Sequence, residues 1–386
     1  MPHQPSPLSF PEVSSAGDIP VVAILTIDDE TQQFRGNRQN FADLIRTGQE
    51  MGVLTYVVTV KNFKVKAPRL LGYTIHADQD AWVKEWFPRP HVVYNRIPQR
   101  EDERLPEVKR KLRSIVKQPD IHLFNRRFFN KWSLFRWLNR NPATRRLIPE
   151  TKMLTRPEVL SQLLKRHRML YLKPIRGKAG VGIMTVRVVP EKPLPFKLQI
   201  QEERGSKLYR CSSLLRLWGH VSRYSEEIGE QYIAQQGIPL VKVNDRPFDL
   251  RVLAQKNQYG KWDLTGIGAR VAGNSSITTH VPRGGNIDDP EKLLTGIFGK
   301  EKASSVLDAV RKAVLLAARQ IEIASRHRLG EMSMDLGVDR SGNVWFLEAN
   351  SKPMKFDETE IRKTSLQRIF QYSLYLHRRS RQSERG

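Results

Sequence analysis

The sequence predicts an α/β protein of two or three domains, and three observations carry that prediction. The amino-terminal part reads as strand, helix, strand. A glycine-rich loop in the middle of the chain is flanked by strands on both sides. A long amphipathic helix stops at a glycine directly before a final hairpin. At 386 residues the chain is long enough for several hydrophobic cores.

The first 19 residues are rich in Pro and Ser and read as a disordered leader, with no charged start and apolar core of a signal peptide. Residues 19–26 are an apolar run suited to a buried strand. Phe41, Leu44 and Ile45 then mark one face of a helix ending near Gly52, and residues 54–60 give the next strand. No G-x-G-x-x-G accompanies this β-α-β start, so the dinucleotide fingerprint is absent. A further strand, 91–94, runs into Asn95 and Arg96, at the carboxyl edge where open α/β sheets bind ligands. Residues 101–117 are charged and mostly helical and link two domains. Asn130 is placed to cap the next helix, with Trp132, Phe135 and Leu138 as its inward stripe. Lys131 falls in the first turn, where a cation is electrostatically misplaced.

The strand 170–174 contains Lys173 and leads into a loop with Gly177, Lys178, Gly180 and Gly182 before a second strand, 183–188. Glycines at this spacing turn the backbone tightly and bring amide groups toward an anion. The strand-loop-strand context excludes the P-loop, which runs into a helix. A strand over 231–238 ends with Gln235, Gln236 and Ile238. Residues 247–255 alternate, with Asp249, Arg251, Leu253 and Gln255 on one face and Phe248, Leu250, Val252 and Ala254 on the other. Their partner, 262–271, ends at Arg270, and the loop 274–286 carries His280 and Arg283. Acids, arginines and glycines recurring at strand ends suggest an anionic transition state held by several cations.

After the helix 304–326, residues 334–350 form two strands joined at Ser341 and Gly342, with Val344, Phe346 and Glu348 expected to alternate onto one face. Asp335 starts the first strand, and Glu348 and Asn350 end the second, two apart. Three hard oxygen ligands then meet across one hairpin. Magnesium takes few carboxylates and completes its shell with waters and substrate phosphates, so a nucleotide is the expected partner. An amphipathic helix, 361–376, and a polar basic tail close the chain.

Lys plus Arg number 65 against 40 for Asp plus Glu, a net charge of +25 that favours polyanionic partners. Aromatic residues are not interleaved with a basic strip as stacking platforms would require, which argues against a nucleic-acid binder. Cys211 is the single cysteine, so an internal disulfide and a cysteine-based zinc site are both excluded. No apolar run approaches the length of a membrane helix.

In order, Lys131, Lys173 with its glycine loop, residues 235–238, residues 248–251, residues 283–285, Asp335 and residues 348–350 resemble the ATP-grasp superfamily, and within it the YheC/YheD-like group of endospore coat-associated proteins. The likeness runs over about residues 20–375, including residues 90–98. It implies an ATP-grasp domain over 119–375 with a lid subdomain near 150–235, behind a Rossmann-like domain over 20–118 and before a basic tail at 376–386. Lys131 and Lys173 would neutralise the ATP phosphates, with Gly177, Lys178, Gly180 and Gly182 closing over them. Gln235, Gln236 and Ile238 would hold adenine. Asp335, Glu348 and Asn350 would bind Mg2+, or Mn2+ in its place. Arg251, His280 and Arg283 would meet the acceptor carboxylate and the transferred phosphoryl group.

The resemblance thus implies an ADP-forming ligase joining a carboxylate to an amine, with acceptors unnamed, in the cytoplasm or at the spore coat, where coat proteins would be partners. Its competitor is a non-catalytic nucleotide-binding protein of the coat. Two departures stand out. Lys178 occupies a lid position where a small residue is common, and Met354 stands where the superfamily often has Gly.

Overall fold

The computed structural model describes residues 19–75, 81–177, 181–202, 205–273 and 286–385. These form two compact units. The first comprises the chain up to Arg127, Lys256–Lys261 and the residues from Arg362 onward, and the second comprises Phe128–Gln255 and Trp262–Ile361.

In the first unit, β1 (Val21–Thr26), α1 (Arg38–Glu50), β2 (Leu54–Thr59), β3 (Arg69–Ile75), β4 (Trp82–Pro88), β5 (Val92–Asn95), α2 (Pro106–Val116) and β6 (His122–Phe124) build one sheet of order β4-β3-β2-β1-β5-β6. Pairs β1/β2, β1/β5 and β5/β6 are parallel, while β3 and β4 form an antiparallel hairpin at the edge. All six residues of β1 are buried, as an unbroken apolar run in a central parallel strand must be. Asn95 is fully buried: its amide donates to Glu103 at 3.2 Å and to the carbonyl of Arg126 at 2.9 Å.

The second unit opens with α3 (Lys131–Asn139), capped by Asn130, whose side chain accepts from the Ser133 amide at 3.1 Å. An antiparallel sheet follows, built from β7 (Thr151–Leu154), β8 (Met169–Pro174), β9 (Met184–Val188), β10 (Phe196–Gln201), β11 (Ser206–Cys211) and β12 (Tyr232–Gln236), in the order β11-β10-β9-β8-β12-β7. Its apolar face, with Leu170, Leu172, Val186 and Leu198, packs with α4 (Pro157–Arg166) and α5 (Leu214–Ile228). The other face carries Met169, Tyr171 and Lys173.

A second sheet in this unit comprises β13 (Arg246–Lys256), β14 (Trp262–Val271), β15 (Asn286–Asp288), β16 (Glu331–Val338) and β17 (Val344–Asn350), ordered β15-β14-β13-β16-β17. Its inner face, with Phe248, Leu250, Val252, Met334, Leu336 and Phe346, buries against α3 and α6 (Lys300–Ser325), whose stripe is Val306, Val310, Val314, Ala317 and Ile321.

One expectation is corrected here. Val344 and Phe346 do share the core face, but Glu348 does not join them. Leu336 pairs with Phe346, whereas the preceding Asp335 pairs with Glu348, so β17 holds one extra residue, Leu347, in a bulge. That residue reverses the alternation. Val344, Phe346 and Ala349 enter the core, while Glu348 and Asn350 turn outward with Asp335.

The last helix, α7 (Thr359–Arg385), continues through the residues expected as a tail. Its Ile369, Phe370, Tyr372 and Leu376 are buried in the first unit's core with Val22, Phe41, Ile45 and Val57.

Candidate nucleotide and metal site

The outer face of the β13-β14 sheet is built from charged residues at alternate positions. Register places Arg251 on β13 opposite Asp335 on β16, and Asp335 opposite Glu348 on β17, so three charged side chains form a row across three strands. Ser333 pairs with Asn350 in the adjacent row. Arg270 reaches in from β14. Its Nε donates to Asp249 Oδ1 at 2.9 Å, and its terminal nitrogen lies 2.7 Å from Asp249 Oδ2 and 2.8 Å from Asp335 Oδ2. Arg251 lies 3.9 Å from Asp335 Oδ1. Arg270 and Asp249 are each 5% exposed and Asp335 is 15% exposed. Burial works against the Arg270 charge, but Asp335 and Asp249 outweigh it and hold the guanidinium above its ordinary pKa.

The two lysines approach from α3 and β8. The Lys131 amide donates to the Ile175 carbonyl at 3.1 Å, tying the start of α3 to the end of β8, and its ammonium pairs with Glu348 Oε1. Burial opposes ionisation of Glu348, yet Lys131, helped by Lys173 and against Asp335, keeps its pKa below the usual carboxylate value. Lys173 donates to Gln235 Oε1 at 2.7 Å. Burial, reinforced by Lys131 and offset by Glu348, Asp335 and Asp249, lowers Lys173 to about 8. Four cations thus face three carboxylates at this site.

Of the expected site residues, Lys131, Lys173, Arg251, Asp335, Glu348 and Asn350 lie in these rows or reach them. Asn350 is turned outward with Glu348 and its Oδ1 accepts from the Lys352 amide at 3.3 Å. The glutamines make hydrogen bonds within the chain. Gln235 accepts from Lys173 and donates to Thr151 Oγ1 at 3.0 Å, and Gln236 Oε1 accepts from the Glu150 amide at 3.1 Å. The connection beyond them, with Ile238, starts at Gly237, whose amide donates to the Met169 carbonyl at 2.8 Å. A Cβ there would lie 2.7 Å from Met169 Cγ, so only glycine permits this approach.

Gly177 and Gly182 frame the loop. Gly182, at φ +75°, donates to the Gln201 carbonyl at 3.1 Å and accepts from the Tyr232 hydroxyl at 2.9 Å. Lys178, Gly180, His280 and Arg283 lie outside the described residues. Beside Lys173 on the same sheet face, Met169, Tyr171, Thr185, Arg187, Lys197 and Lys242 line a cavity of about 320 Å³. Sequence reasoning placed Arg270 and Asp249 at strand ends without joining them. The available signal was two opposite charges in neighbouring strands.

The donor set suits a hard divalent cation: two carboxylates from cross-strand partners and an amide oxygen from the next row, all on one face. Among the described residues, no group of three or more His, Cys, Asp or Glu side chains is placed to hold a metal. Magnesium takes few protein ligands and completes its shell with waters and substrate phosphates.

An antiparallel sheet flanked by two helices, a second sheet bearing these charged rows and a glycine-bordered loop beside Lys173 define a protein of the ATP-grasp fold. Residues 120–376 match the YheC/D-like ATP-grasp family, and the chain belongs to that family. It is 27% identical over 305 residues to the endospore coat-associated protein YheD of Bacillus subtilis (strain 168), a match covering 77% of this chain and 65% of that relative, hence less than two thirds of its length. With YheC of the same organism, also described as endospore coat-associated, it shares 20% identity over 315 residues, covering 81% of this chain and 84% of YheC. Among solved structures, the D-alanine-D-alanine ligase from Coxiella burnetii is similar with a TM-score of 0.53 at 12% identity, covering 95% of this chain and 97% of that one. D-cycloserine synthetase DcsG gives 0.52 at 13% identity, covering 93% and 99%. At such identities these two matches establish the fold alone. No helix among the described residues is long and apolar enough to cross a membrane.

Proposed function

We propose that this chain is an ADP-forming, Mg2+- and ATP-dependent ligase that activates a carboxylate for attack by an amine. The observation that carries the reading is the convergence of Lys131 and Lys173 on the face where Asp335 stands directly opposite Glu348. Lys131 and Lys173 would neutralise the triphosphate, and the cavity beside Tyr171, next to Gly237, would take the nucleoside. Asp335, Glu348 and Asn350 would hold the ion. A bound Mg2+, or Mn2+, would supply charge neutralisation at the transferring phosphoryl group.

In the first step a carboxylate oxygen of the acceptor forms a bond to the γ-phosphorus as the bond to ADP breaks. In the second, the amine nitrogen bonds to the acyl carbon, phosphate leaves and the nitrogen loses a proton. Arg251, in the same row as the ion ligands, would face the phosphoryl oxygens. Positioning and fixed charge contribute most of the rate in transfers of this kind. Both named relatives are described as endospore coat-associated, which supports a place at the spore coat for this chain as well.

The test is Glu348→Gln. ATP binding by the unaltered chain should tighten with added Mg2+ in calorimetry, and ADP release should follow in a screen of amino-acid and peptide acceptors. The variant should lose both responses. A variant that keeps the full Mg2+ response would remove Glu348 from the ion site and the reading with it.

A further inference from the structure

We propose that Arg270 is a positioning residue for the ion site: braced by Asp249, it fixes Asp335 in the orientation from which that carboxylate binds the divalent ion. The inference rests on the ion-site reading above. Arg270 stands on β14, Asp249 on the neighbouring β13 and Asp335 on β16, so one guanidinium spans three adjacent strands. Its fork uses Nε and a terminal nitrogen on the two oxygens of Asp249, at 2.9 and 2.7 Å, and the same terminal nitrogen on Asp335 Oδ2 at 2.8 Å. A planar guanidinium held at two points has little freedom left, so the third contact sets the rotation of the Asp335 carboxylate.

Asp249 alone would neutralise Arg270, and the two form a buried pair, each 5% exposed. Asp335 gives the guanidinium a second carboxylate partner and, with Arg251 3.9 Å from its other oxygen, is the most exposed member of the triad at 15%, on the face shared with Glu348. Groups that orient metal ligands through hydrogen bonds from behind are worth about 10–100-fold in metal affinity. Lysine cannot reproduce a fork that grips two carboxylates.

The experiment measures Mn2+ binding from the free-ion EPR signal at saturating ATP, and ATP binding separately in EDTA. Arg270→Lys should raise the Mn2+ concentration for half-saturation about tenfold, while ATP affinity in EDTA stays within about twofold. Because a lone buried carboxylate can unfold a protein, the paired variant Asp249→Asn with Arg270→Gln is measured beside it and should show the same shift. Unchanged half-saturation in both variants, even with a lowered Tm, would reduce Arg270 to a strut of the fold and overturn the proposal. A parallel loss of ATP affinity in EDTA would overturn it as well, by assigning Arg270 to the nucleotide. If the unaltered protein binds no Mn2+ with ATP present, the ion-site reading itself falls and takes this inference with it.

Discussion

Lys131 is the side chain whose replacement gives the most informative result, because two roles predict opposite signs. Its ammonium pairs with Glu348 and is itself 11% exposed, while Glu348 is 36% exposed. With Glu348 an ion ligand as proposed, an ion entering without nucleotide would have to displace this lysine, whereas an ion arriving with a triphosphate would find the lysine drawn onto phosphate. Lys131→Met should therefore improve binding of Mn2+ alone and weaken binding of ATP. Two unit charges at contact interact by about 4 kcal/mol at an effective dielectric of 20. Glu348 is open enough to water that screening reduces the net value to about 1 kcal/mol. That corresponds to about fivefold tighter Mn2+ binding in the variant. For ATP, losing one charge-assisted contact of about 1.5–3 kcal/mol weakens binding by roughly 10- to 150-fold. Free Mn2+ EPR without nucleotide, and calorimetry with ATP in EDTA, read the two quantities. If Lys131→Met binds Mn2+ alone no better than the unaltered chain, the lysine does not guard Glu348 and the coupling argument is refuted.

Two further outcomes are expected. Lys173, with its pKa lowered to about 8, should lose its proton as pH rises past that value, so ATP affinity measured from pH 6.5 to 9.5 should fall above about 8 and stay flat in Lys173→Gln. For folding the sign is reversed: between 8 and the ordinary value of 10.5 the unfolded chain holds a proton that the folded chain has released, so this lysine's contribution to stability rises with pH across that window, and denaturant melts of the same pair of proteins read it. Deleting Leu347 removes the extra residue and leaves Phe346 opposite Leu336 and Glu348 opposite Asp335 in plain alternation, so the Mg2+ response should survive the deletion; its loss, read by calorimetry with ATP, would show that the bulge itself is needed to place Glu348.

Much of this arrangement was legible in the sequence, for reasons that particular residues show. The apolar run of β1 and the three- and four-residue spacing of Val306, Val310, Val314, Ala317 and Ile321 are patterns that only buried elements maintain. Asn130 announced the start of α3 and with it the position of Lys131. The direction of Glu348 was read rightly relative to Asn350 and wrongly relative to Phe346, because simple alternation contains no term for an extra residue and only the paired strand reveals one. The Arg270 bridge was hidden for a related reason: β13 and β14 are consecutive and expected to pair, but only the strand order shows that β16, with Asp335, lies on the other side of β13. The hydrogen-bond partners of Gln235 and Gln236, Thr151 and Glu150, lie more than eighty residues earlier, and no local pattern connects them.

The course of α7 bears on how the protein is made. The residues that complete the hydrophobic interior around Val22, Phe41 and Ile45 are Ile369, Phe370, Tyr372 and Leu376. During synthesis, the segment that carries Val22, Phe41 and Ile45 leaves the ribosome well before these partners and must therefore wait, with an apolar surface uncovered, until they emerge. The intervening unit, whose own interior contains none of these late residues, is free to finish folding first.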